Sequence, residues 1–246
     1  MHEAHTGERY VEALSALPSD RLARAAFQDL VLRIARPGAA LFDFGAGPGI
    51  DARFYAEHGF RVGAYDVDPG MCDYFAIHCD ELMQAGQIAL HTGTYADFLA
   101  SETPRNAPRV DLVTSNFAPL NLVEDLQSLF LKFHALTAPD GKVLASVLSP
   151  YFAGDRRYRW WWSNFPRLWR DGHFAVPGAR GPIVRRRLAD FAARSAPYFV
   201  LKRVFPGLPS YAGHADGIDM YRHGPRAWLR LMNCRFMFLL FEKSST

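Results

Sequence analysis

The sequence predicts an α/β protein with a seven-stranded, mostly parallel, doubly wound sheet. Apolar segments of strand length alternate with segments of helical periodicity between residues 19 and 242, the pattern of a parallel sheet with helices on both faces. The first strand ends in an acidic residue and leads into three alternating glycines, as at the ligand-binding edge of open α/β sheets. The chain has 246 residues, 49% of them apolar, and can bury one full core. We therefore predict a single domain, 1–246.

The individual elements are assigned from the period of the apolar residues and from the turn residues between them. The predicted strands cover 39–44, 61–65, 88–92, 110–116, 142–149, 198–204 and 235–242. The predicted helices cover 19–36, 51–58, 68–85, 122–136 and 184–195. The helix-breaking segment 138–141, with the sequence Ala-Pro-Asp-Gly, separates the fourth helix from the fifth strand.

The segment 41–51 carries the strongest functional signal of the chain. Glycines in its loop allow a sharp turn and the close approach of a ligand to the main chain, and the carboxylate at the strand end can accept hydrogen bonds from a cationic or hydroxylated ligand. Position 50 is Ile50, so the dinucleotide pattern G-x-G-x-x-G is incomplete, and no P-loop Gly-Lys-Ser/Thr follows. The candidate ligand-binding residues are Asp43, Gly45, Ala46, Gly47 and Gly49.

A second acidic residue ends the next predicted strand. Asp66 lies 21 positions after Gly45, which suits a carboxylate that binds a ribose diol at the end of a neighbouring strand. Asp68-Pro69-Gly70 is a turn signal in which Asp68 is a candidate helix cap.

Together these two segments resemble the class I S-adenosylmethionine (SAM)-dependent methyltransferases. The run 43–49 has the D-x-G-x-G-x-G form of that family's first motif, and 65–71 resembles its D-x-S-P-x-M segment, with Asp68 in place of serine. The resemblance implies a Rossmann-like fold with an antiparallel last strand, SAM as methyl donor and S-adenosylhomocysteine as product. It also implies that Asp66 binds the ribose hydroxyls, and that Val67 and Met71 flank the adenine.

The resemblance extends to the ends of the third and fourth strands. Thr94 stands where many relatives carry an aspartate that binds the adenine amino group, and Tyr95 is a candidate to cover the adenine ring. The segment 111–117 is similar to the family's D-x-V-x-S-N-F segment. This similarity implies that Asn116 and Phe117 line the methionine end of SAM, close to the sulfonium.

An insertion at 150–184 follows the fifth strand and contains four of the five tryptophans, interleaved with arginines. Inserted loops above a rigid sheet often carry binding function. It is predicted to be a lid over a flat or long apolar acceptor, an interfacial helix on a membrane, a docking site for an acidic carrier protein, or a cap whose aromatics fill a core. We prefer the first and the last. Pro166 argues against one long helix. The candidate acceptor-binding residues are Tyr151, Trp161, Trp169 and Tyr211.

No residue pattern identifies a general base, because methyl transfer leaves no universal motif. The turn Gly207-Leu208-Pro209-Ser210-Tyr211 resembles one in small-molecule enzymes related to the malonyl-carrier-protein O-methyltransferase, and the polar stretch after it is expected over the same cleft. The candidates for a base or an acceptor-orienting group are Tyr211, His214, His173 and Asp216. The run 185–187, three arginines, is predicted to be solvated.

Composition limits the compartment and the partners. The net charge of +3 gives no global attraction to nucleic acid, and three scattered cysteines indicate a reducing compartment, which favours the cytoplasm. Neither an apolar leader nor a membrane span is visible in the sequence, and no metal-ligand pattern stands out. Peripheral membrane contact remains an open alternative.

We therefore predict a SAM-dependent methyltransferase of small-molecule biosynthesis that acts on a small apolar or aromatic acceptor, free or carried by a carrier protein, most readily at oxygen. One alternative is a SAM-binding protein of the same fold that serves as a partner subunit or performs another reaction. A second alternative, a nicotinamide-dependent reductase, lacks both the glycine at position 50 and a Tyr-x-x-x-Lys hydride site.

Overall fold

The computed structural model describes residues 18–102, 108–178, 181–207, 218–219 and 231–244. Its helices are α1 Pro18–Ile34, α2 Ile50–Glu57, α3 Pro69–His78, α4 Asp80–Gln84, α5 Tyr95–Ala100, α6 Leu126–Leu136, α7 Arg159–Asp171 and α8 Leu188–Ser195. Its strands are β1 Ala40–Phe44, β2 Arg61–Tyr65, β3 Ile88–His91, β4 Val110–Ser115, β5 Thr137–Leu148, β6 His173–Val176, β7 Ile183–Arg186, β8 Phe199–Pro206, β9 Ile218–Asp219 and β10 Phe236–Lys243. Short 3₁₀ turns cover Pro119–Asn121 and Ala153–Arg157.

The main sheet has the strand order β3-β2-β1-β4-β5-β10-β8-β9. Strands β1 to β5 pair in parallel, and β10 inserts antiparallel between β5 and β8. The predicted seven-stranded, mostly parallel sheet with an antiparallel last strand is thereby confirmed, and the two-residue strand β9 extends one edge.

Helices bury apolar side chains on both faces of the sheet, as a doubly wound fold requires. On one face, Phe27 of α1 packs edge-on against Phe238 of β10, with ring centroids 5.2 Å apart. On the other face, Phe130 of α6 packs against Phe241 of β10 at 5.0 Å. No helix in the described ranges is long and apolar enough to cross a membrane.

Several predicted boundaries shift for local reasons. The predicted helix 68–85 breaks at Cys79 into α3 and α4. The predicted helix 122–136 begins only at Leu126, because the Asp125 side chain caps it by accepting a hydrogen bond from the Ser128 N–H. The predicted turn 138–141 forms a bulge at the start of β5, where the pairing jumps from Val110–Thr137 to Leu112–Lys142.

The insertion folds into a cap made of α7 and the antiparallel hairpin β6–β7. Leu168, Phe174 and Val176 form its small core. As predicted, the insertion is not one long helix, because α7 ends at Asp171 and the hairpin follows, but Pro166 is not the cause, since α7 runs through it. Pro166 lies on the exposed side of α7, where water can replace the hydrogen bond that proline removes. The predicted helix at 184–195 is also shortened, because its first residues belong to β7.

Candidate active site

The glycine loop turns tightly at the carboxyl end of β1. Gly45, Gly47 and Gly49 have φ angles of 71°, 56° and 83°, in the left-handed region that favours glycine. The N–H groups of Gly45 and Ala46 both donate to the Tyr65 carbonyl, at 2.8 and 3.0 Å, which ties the loop to the end of β2.

The three glycines serve different purposes. A Cβ on Gly45 would lie 2.5 Å from Pro119 Cγ, and one on Gly49 would lie 2.8 Å from a Phe75 ring carbon. These two positions are closed by packing. A Cβ on Gly47 would meet no atom within 4 Å, so that position faces open space. Gly47 is therefore where the main chain is open to a ligand.

Asp66 at the end of β2 lies against the glycine loop. Its carboxylate accepts hydrogen bonds from the Gly47 N–H at 2.7 Å and from the Asp68 N–H at 2.9 Å. A carboxylate has about four acceptor sites, so hydroxyl donors can still bind. Asp68 caps α3 by accepting from the Gly70 and Met71 N–H groups, which confirms its prediction as a cap. The two neighbouring aspartates thus have separate roles.

Asp43 is buried at the end of β1 with one oxygen unused. Thr114 donates to Asp43 Oδ1 at 2.9 Å, whereas Oδ2 has no hydrogen-bond partner in the described part of the chain. Burial, reinforced by the charge of nearby Asp51, raises the pKa of Asp43 to about 8. An orphaned, buried carboxylate oxygen of this kind fits a cationic donor such as an ammonium group.

A network around Asp51 was not identified from the sequence. The buried Asp51 carboxylate, in the first turn of α2, accepts from Arg24, from Gln28 Nε2 at 2.8 Å and from Asn116 Nδ2 at 3.1 Å. Arg24 and Gln28 come from α1, one turn apart. The one sign of this network in the sequence is the acidic residue Asp51, two positions after the last glycine of the loop.

The backbone after β4 is held in an unusual conformation. Phe117 and Ala118 have φ angles of 59° and 69°, which cost non-glycine residues roughly 1–2 kcal/mol each. The Arg24 guanidinium lies 4.5 Å from the Phe117 ring centroid, and Asn116 Oδ1 accepts from the Phe117 N–H at 2.9 Å. Such strain persists where surrounding contacts over-determine it, as at functional sites.

The candidate adenine-binding residues differ in accessibility. Val67 is exposed, whereas the Met71 side chain is fully buried beneath the surface. The Thr94 hydroxyl is engaged in a capping box with Asp97 at the start of α5. Tyr95 packs edge-on against Phe44, and its buried hydroxyl lacks a hydrogen-bond partner in the described residues. Val67 and Thr94 are exposed to solvent, whereas Met71 and most of Tyr95 are covered, and the adenine contacts of all four stay predictions.

The cap is fixed to the carboxyl ends of β4 and β5. Asn121, just after β4, donates to the Val184 carbonyl at 2.7 Å and accepts from the Leu148 N–H at 2.9 Å. Arg185 donates to the Ser149 carbonyl at 2.7 Å, and Arg186 donates to the Val123 carbonyl at 2.9 Å. The prediction that this arginine run is solvated is therefore wrong for the two buried members. Their guanidinium groups donate to one carbonyl just after β5 and to another in the turn before α6.

The candidate acceptor-binding residues do not all converge. Tyr151 is half-buried next to Ser149, and its N–H donates to Ser149 Oγ at 3.2 Å. Burial raises the pKa of the Tyr151 hydroxyl to about 12. Trp161 is buried against the rings of Trp162 and Phe165, whereas Trp169 is 65% exposed, which does not fit a contact with an enclosed acceptor. His173 begins β6, with Nδ1 3.9 Å from Asp190 Oδ2 of α8. Tyr211, His214 and Asp216 lie outside the described residues.

A cavity of about 640 Å³ lies beside this site, on the sheet face next to β3. Its wall includes Phe42, Gly63, His91, Phe98 and Lys132. None of the glycine loop, Asp66 or Asn116 lines it. The cavity is therefore separate from the cluster at the carboxyl ends of β1, β2 and β4.

The charges of the cluster suit SAM, which carries a sulfonium and an ammonium group. Three buried carboxylates, Asp43, Asp51 and Asp66, lie within one cluster with Arg24 as a paired cation. The orphaned Asp43 oxygen and the open space at Gly47 are the two features that a bound cofactor would use. The residues present therefore fit SAM.

Comparison with known proteins defines the class. A family model described as a methyltransferase domain matches residues 16–181, about two thirds of the chain. No curated protein matches the sequence significantly. The chain belongs to the methyltransferase family. It is a class I methyltransferase, an enzyme that takes its methyl group from SAM and releases S-adenosylhomocysteine, as the sequence predicted.

Solved structures share the fold at low sequence identity. A TehB-like SAM-dependent methyltransferase from Corynebacterium glutamicum aligns with a TM-score of 0.57 and 16% identity over 98% of this chain and 99% of that one. The 1,6-didemethyltoxoflavin-N1-methyltransferase of Burkholderia thailandensis, with bound 1,6-didemethyltoxoflavin and S-adenosylhomocysteine, aligns with a TM-score of 0.62 and 16% identity over 98% and 85%. The CcbJ methyltransferase of Streptomyces caelestis aligns with a TM-score of 0.60 and 12% identity over 89% of each chain.

Proposed function

We propose that this methyltransferase transfers the methyl group of SAM to an oxygen atom of a small apolar or aromatic acceptor bound between the strand ends and the cap. One observation carries the proposal. The cap is hydrogen-bonded to the carboxyl ends of β4 and β5, with the half-buried ring of Tyr151 beside that junction. Ligands of open α/β sheets bind at this edge, and an aromatic wall there favours an apolar acceptor.

In this proposal the cofactor lies along the strand ends. Asp66 binds the ribose hydroxyls beside the open position at Gly47, and Val67 and Tyr95 lie at the adenine end. Asn116 and Phe117 hold the methionine end, where the unused oxygen of Asp43 accepts from the ammonium group. SAM supplies an electrophilic methyl group on its sulfonium.

The chain's own contribution to the reaction is position and exclusion of water. Methyl transfer is an in-line displacement, so the acceptor atom has to be held near attack distance in a dry site. In this proposal the cap covers the acceptor, and the hydrogen bonds of Asn121 and Arg185 fix the position of the cap relative to the strand ends. A hydroxyl acceptor also needs a proton acceptor, for which Tyr211, His214, His173 and Asp216 stay the candidates.

The related fold of the Burkholderia enzyme supports a small-molecule acceptor, because that protein binds 1,6-didemethyltoxoflavin. That enzyme methylates N1, so a nitrogen acceptor is the natural comparison for the oxygen that we propose.

The test is a methylation assay with purified protein, labelled SAM and matched pairs of acceptors, each pair being a phenol and the corresponding aniline, beside aliphatic alcohols. We expect label in the phenol products, with the methylated atom identified by mass spectrometry and NMR. Transfer to anilines alone would contradict the oxygen assignment. SAM binding without transfer to any acceptor, including a cell extract, would contradict the transferase role and favour a partner subunit.

Tyr151 offers a second test with an internal control. We expect Tyr151→Ala to raise the acceptor KM about tenfold or more with unchanged SAM affinity, since a lost aromatic contact costs on the order of 1.5 kcal/mol. Tyr151→Phe keeps the ring and should retain the wild-type KM. Equal losses of SAM affinity and stability in both variants would contradict the acceptor contact.

A further inference from the structure

The outward face of α7 carries large aromatic side chains that neither the cap core nor the proposed acceptor site uses. Tyr158, Trp162, Phe165 and Trp169 are spaced by four, three and four residues, which places them in one stripe along the helix. Trp162 and Trp169 expose 60% and 65% of their surface, and Tyr158 exposes 42%. Such fractions indicate a convex surface rather than the wall of a cleft.

The stripe is held in place from beneath. Leu168 on the inward side belongs to the cap core with Trp160 packed against it, and Trp161 is buried, so the orientation of α7 about its axis is fixed. The Phe165 ring lies between Trp161 and Trp169, at 5.1 and 6.2 Å between centroids. The Trp162 indole N–H donates to the Arg156 carbonyl at 2.7 Å. The exposed rings are therefore presented in a preformed arrangement.

Positive charge surrounds the stripe. Between residues 150 and 178 the sequence has five arginines, all exposed, and two aspartates. Asp155 pairs with the buried Arg185, and Asp171 pairs with Arg170. Arg157 lies over the Tyr158 ring, 4.8 Å from its centroid, and Arg159 begins α7; neither forms an ion pair with a carboxylate in the described part of the chain. The stripe and these two arginines together are called the outer face of α7.

We propose that the outer face of α7 binds an anionic lipid surface. Tryptophan and tyrosine rings are favoured at the headgroup level, where one edge is apolar and the other is wet. Arginine pairs with lipid phosphates and carboxylates. A helix of 13 residues is about 20 Å long and lies in the plane of the interface rather than crossing it.

The aromatic stripe is the reason for preferring a lipid surface to an acidic carrier protein. An acidic protein would pair with the arginines, but its charged surface would offer little apolar area for three exposed aromatic rings to pack against. Insertion into the headgroup region instead removes these rings from water, with the favourable free energy of apolar burial. The proposal is independent of the methyl acceptor and of SAM binding.

The experiment is cosedimentation of the full chain with phosphatidylcholine vesicles and with vesicles of phosphatidylcholine and phosphatidylglycerol, without SAM. We expect binding to the anionic vesicles and a blue shift of tryptophan fluorescence. Trp162→Ala combined with Trp169→Ala should lower the partition coefficient by about tenfold or more. Arg157→Gln combined with Arg159→Gln should lower it by a similar factor and reduce its salt dependence.

Matched controls come from exposed residues elsewhere. Leu22 and Ile77 expose 51% and 75% of their surface on α1 and α3, so Leu22→Ala combined with Ile77→Ala removes comparable apolar surface away from the cap. Arg21→Gln removes an exposed charge from α1. These controls should bind vesicles as the wild type does, and every variant should keep the wild-type melting temperature and SAM affinity.

Two results would overturn the proposal. In the first, the wild type does not sediment with anionic vesicles at low salt. In the second, binding falls with salt but is unchanged by the tryptophan pair, which would show electrostatic adsorption of the protein that does not use the aromatic stripe. Methylation of a soluble acceptor should be equal in all these variants, so failure of the proposed function would be seen separately from failure of vesicle binding.

Discussion

A substitution at Gly47 can separate the effect of a blocked ligand site from the effect of backbone strain. We expect Gly47→Ala to weaken SAM binding by at least about tenfold, equal to roughly 1.4 kcal/mol. The reason is geometric: a Cβ at this position enters the open space beside the loop N–H groups, where nothing lies within 4 Å, and not a neighbouring side chain. The protein itself can therefore fold around the new methyl group.

Gly59, after α2, is the matched control. Its φ of 84° is also left-handed, and a Cβ there likewise meets nothing within 4 Å. Alanine in this region costs about 1–2 kcal/mol, which corresponds to a drop in melting temperature of roughly 2–8 °C for a domain of this size. Both variants should show that drop, measured by thermal unfolding.

The assay is isothermal titration with SAM and with S-adenosylhomocysteine. Gly47→Ala should lose affinity for both, because both share the adenosyl and amino acid groups, whereas Gly59→Ala should bind as the wild type does. Wild-type affinity in Gly47→Ala, or an equal loss in Gly59→Ala, would refute the assignment of the open loop position to the cofactor.

Three further changes test the surroundings of this loop. Asp66→Ala should weaken SAM binding about ten- to a hundredfold, since a lost charged hydrogen-bond partner costs on the order of 1.5–3 kcal/mol. Asp68→Ala should instead cost about 1 kcal/mol of stability, because the helix cap is lost, and should leave SAM affinity unchanged. Equal losses of SAM affinity in the two variants, measured by isothermal titration, would reject these separate roles. Burial raises the pKa of Asp43 to about 8 from 3.8, so the folded state holds this proton more tightly than the unfolded state. The free energy of unfolding of the wild type should therefore fall as the pH rises from about 4 through 8, by up to about 1.4 kcal/mol per pH unit. Urea unfolding across this pH range should show a smaller fall for Asp43→Asn. Trp161→Ala should cost about 3–5 kcal/mol in thermal unfolding, because that ring is buried, and exposed Trp162→Ala below about 1 kcal/mol; similar losses would contradict the packing of the cap.

The parts of the fold that could be read from the sequence are those with local signals. The glycine loop, the acidic strand ends and the cap at Asp68 follow from residue types at fixed offsets, and the antiparallel last strand follows from the family resemblance. The break at Cys79 has no proline or glycine to mark it, so a continuous helix was the natural prediction.

The cap hairpin and the Asp51 network depend on partners far along the chain. Three arginines that precede a segment with helical apolar periodicity suggest an exposed first turn of a helix. In the structure, however, Arg186 donates to the Val123 carbonyl, 63 positions away. Arg24 likewise precedes Asp51 by 27 positions, on a helix that carries no motif. Periodicity describes which face of an element is apolar, and cannot show which distant carbonyl or carboxylate a buried cation will meet.

The central position of β10 has a consequence for the order in which the molecule can assemble during synthesis. Residues Phe236–Lys243 lie between β5 and β8 and pair with both, although they are the last described strand along the chain. On a ribosome, the half with β1 to β5 emerges first and can form its local βαβ units, but β5 keeps an open edge until β10 arrives. Nascent chains of this enzyme therefore expose an unpaired apolar strand edge until almost all of these residues have left the exit tunnel. Such an edge is prone to aggregation and is a surface that chaperones bind.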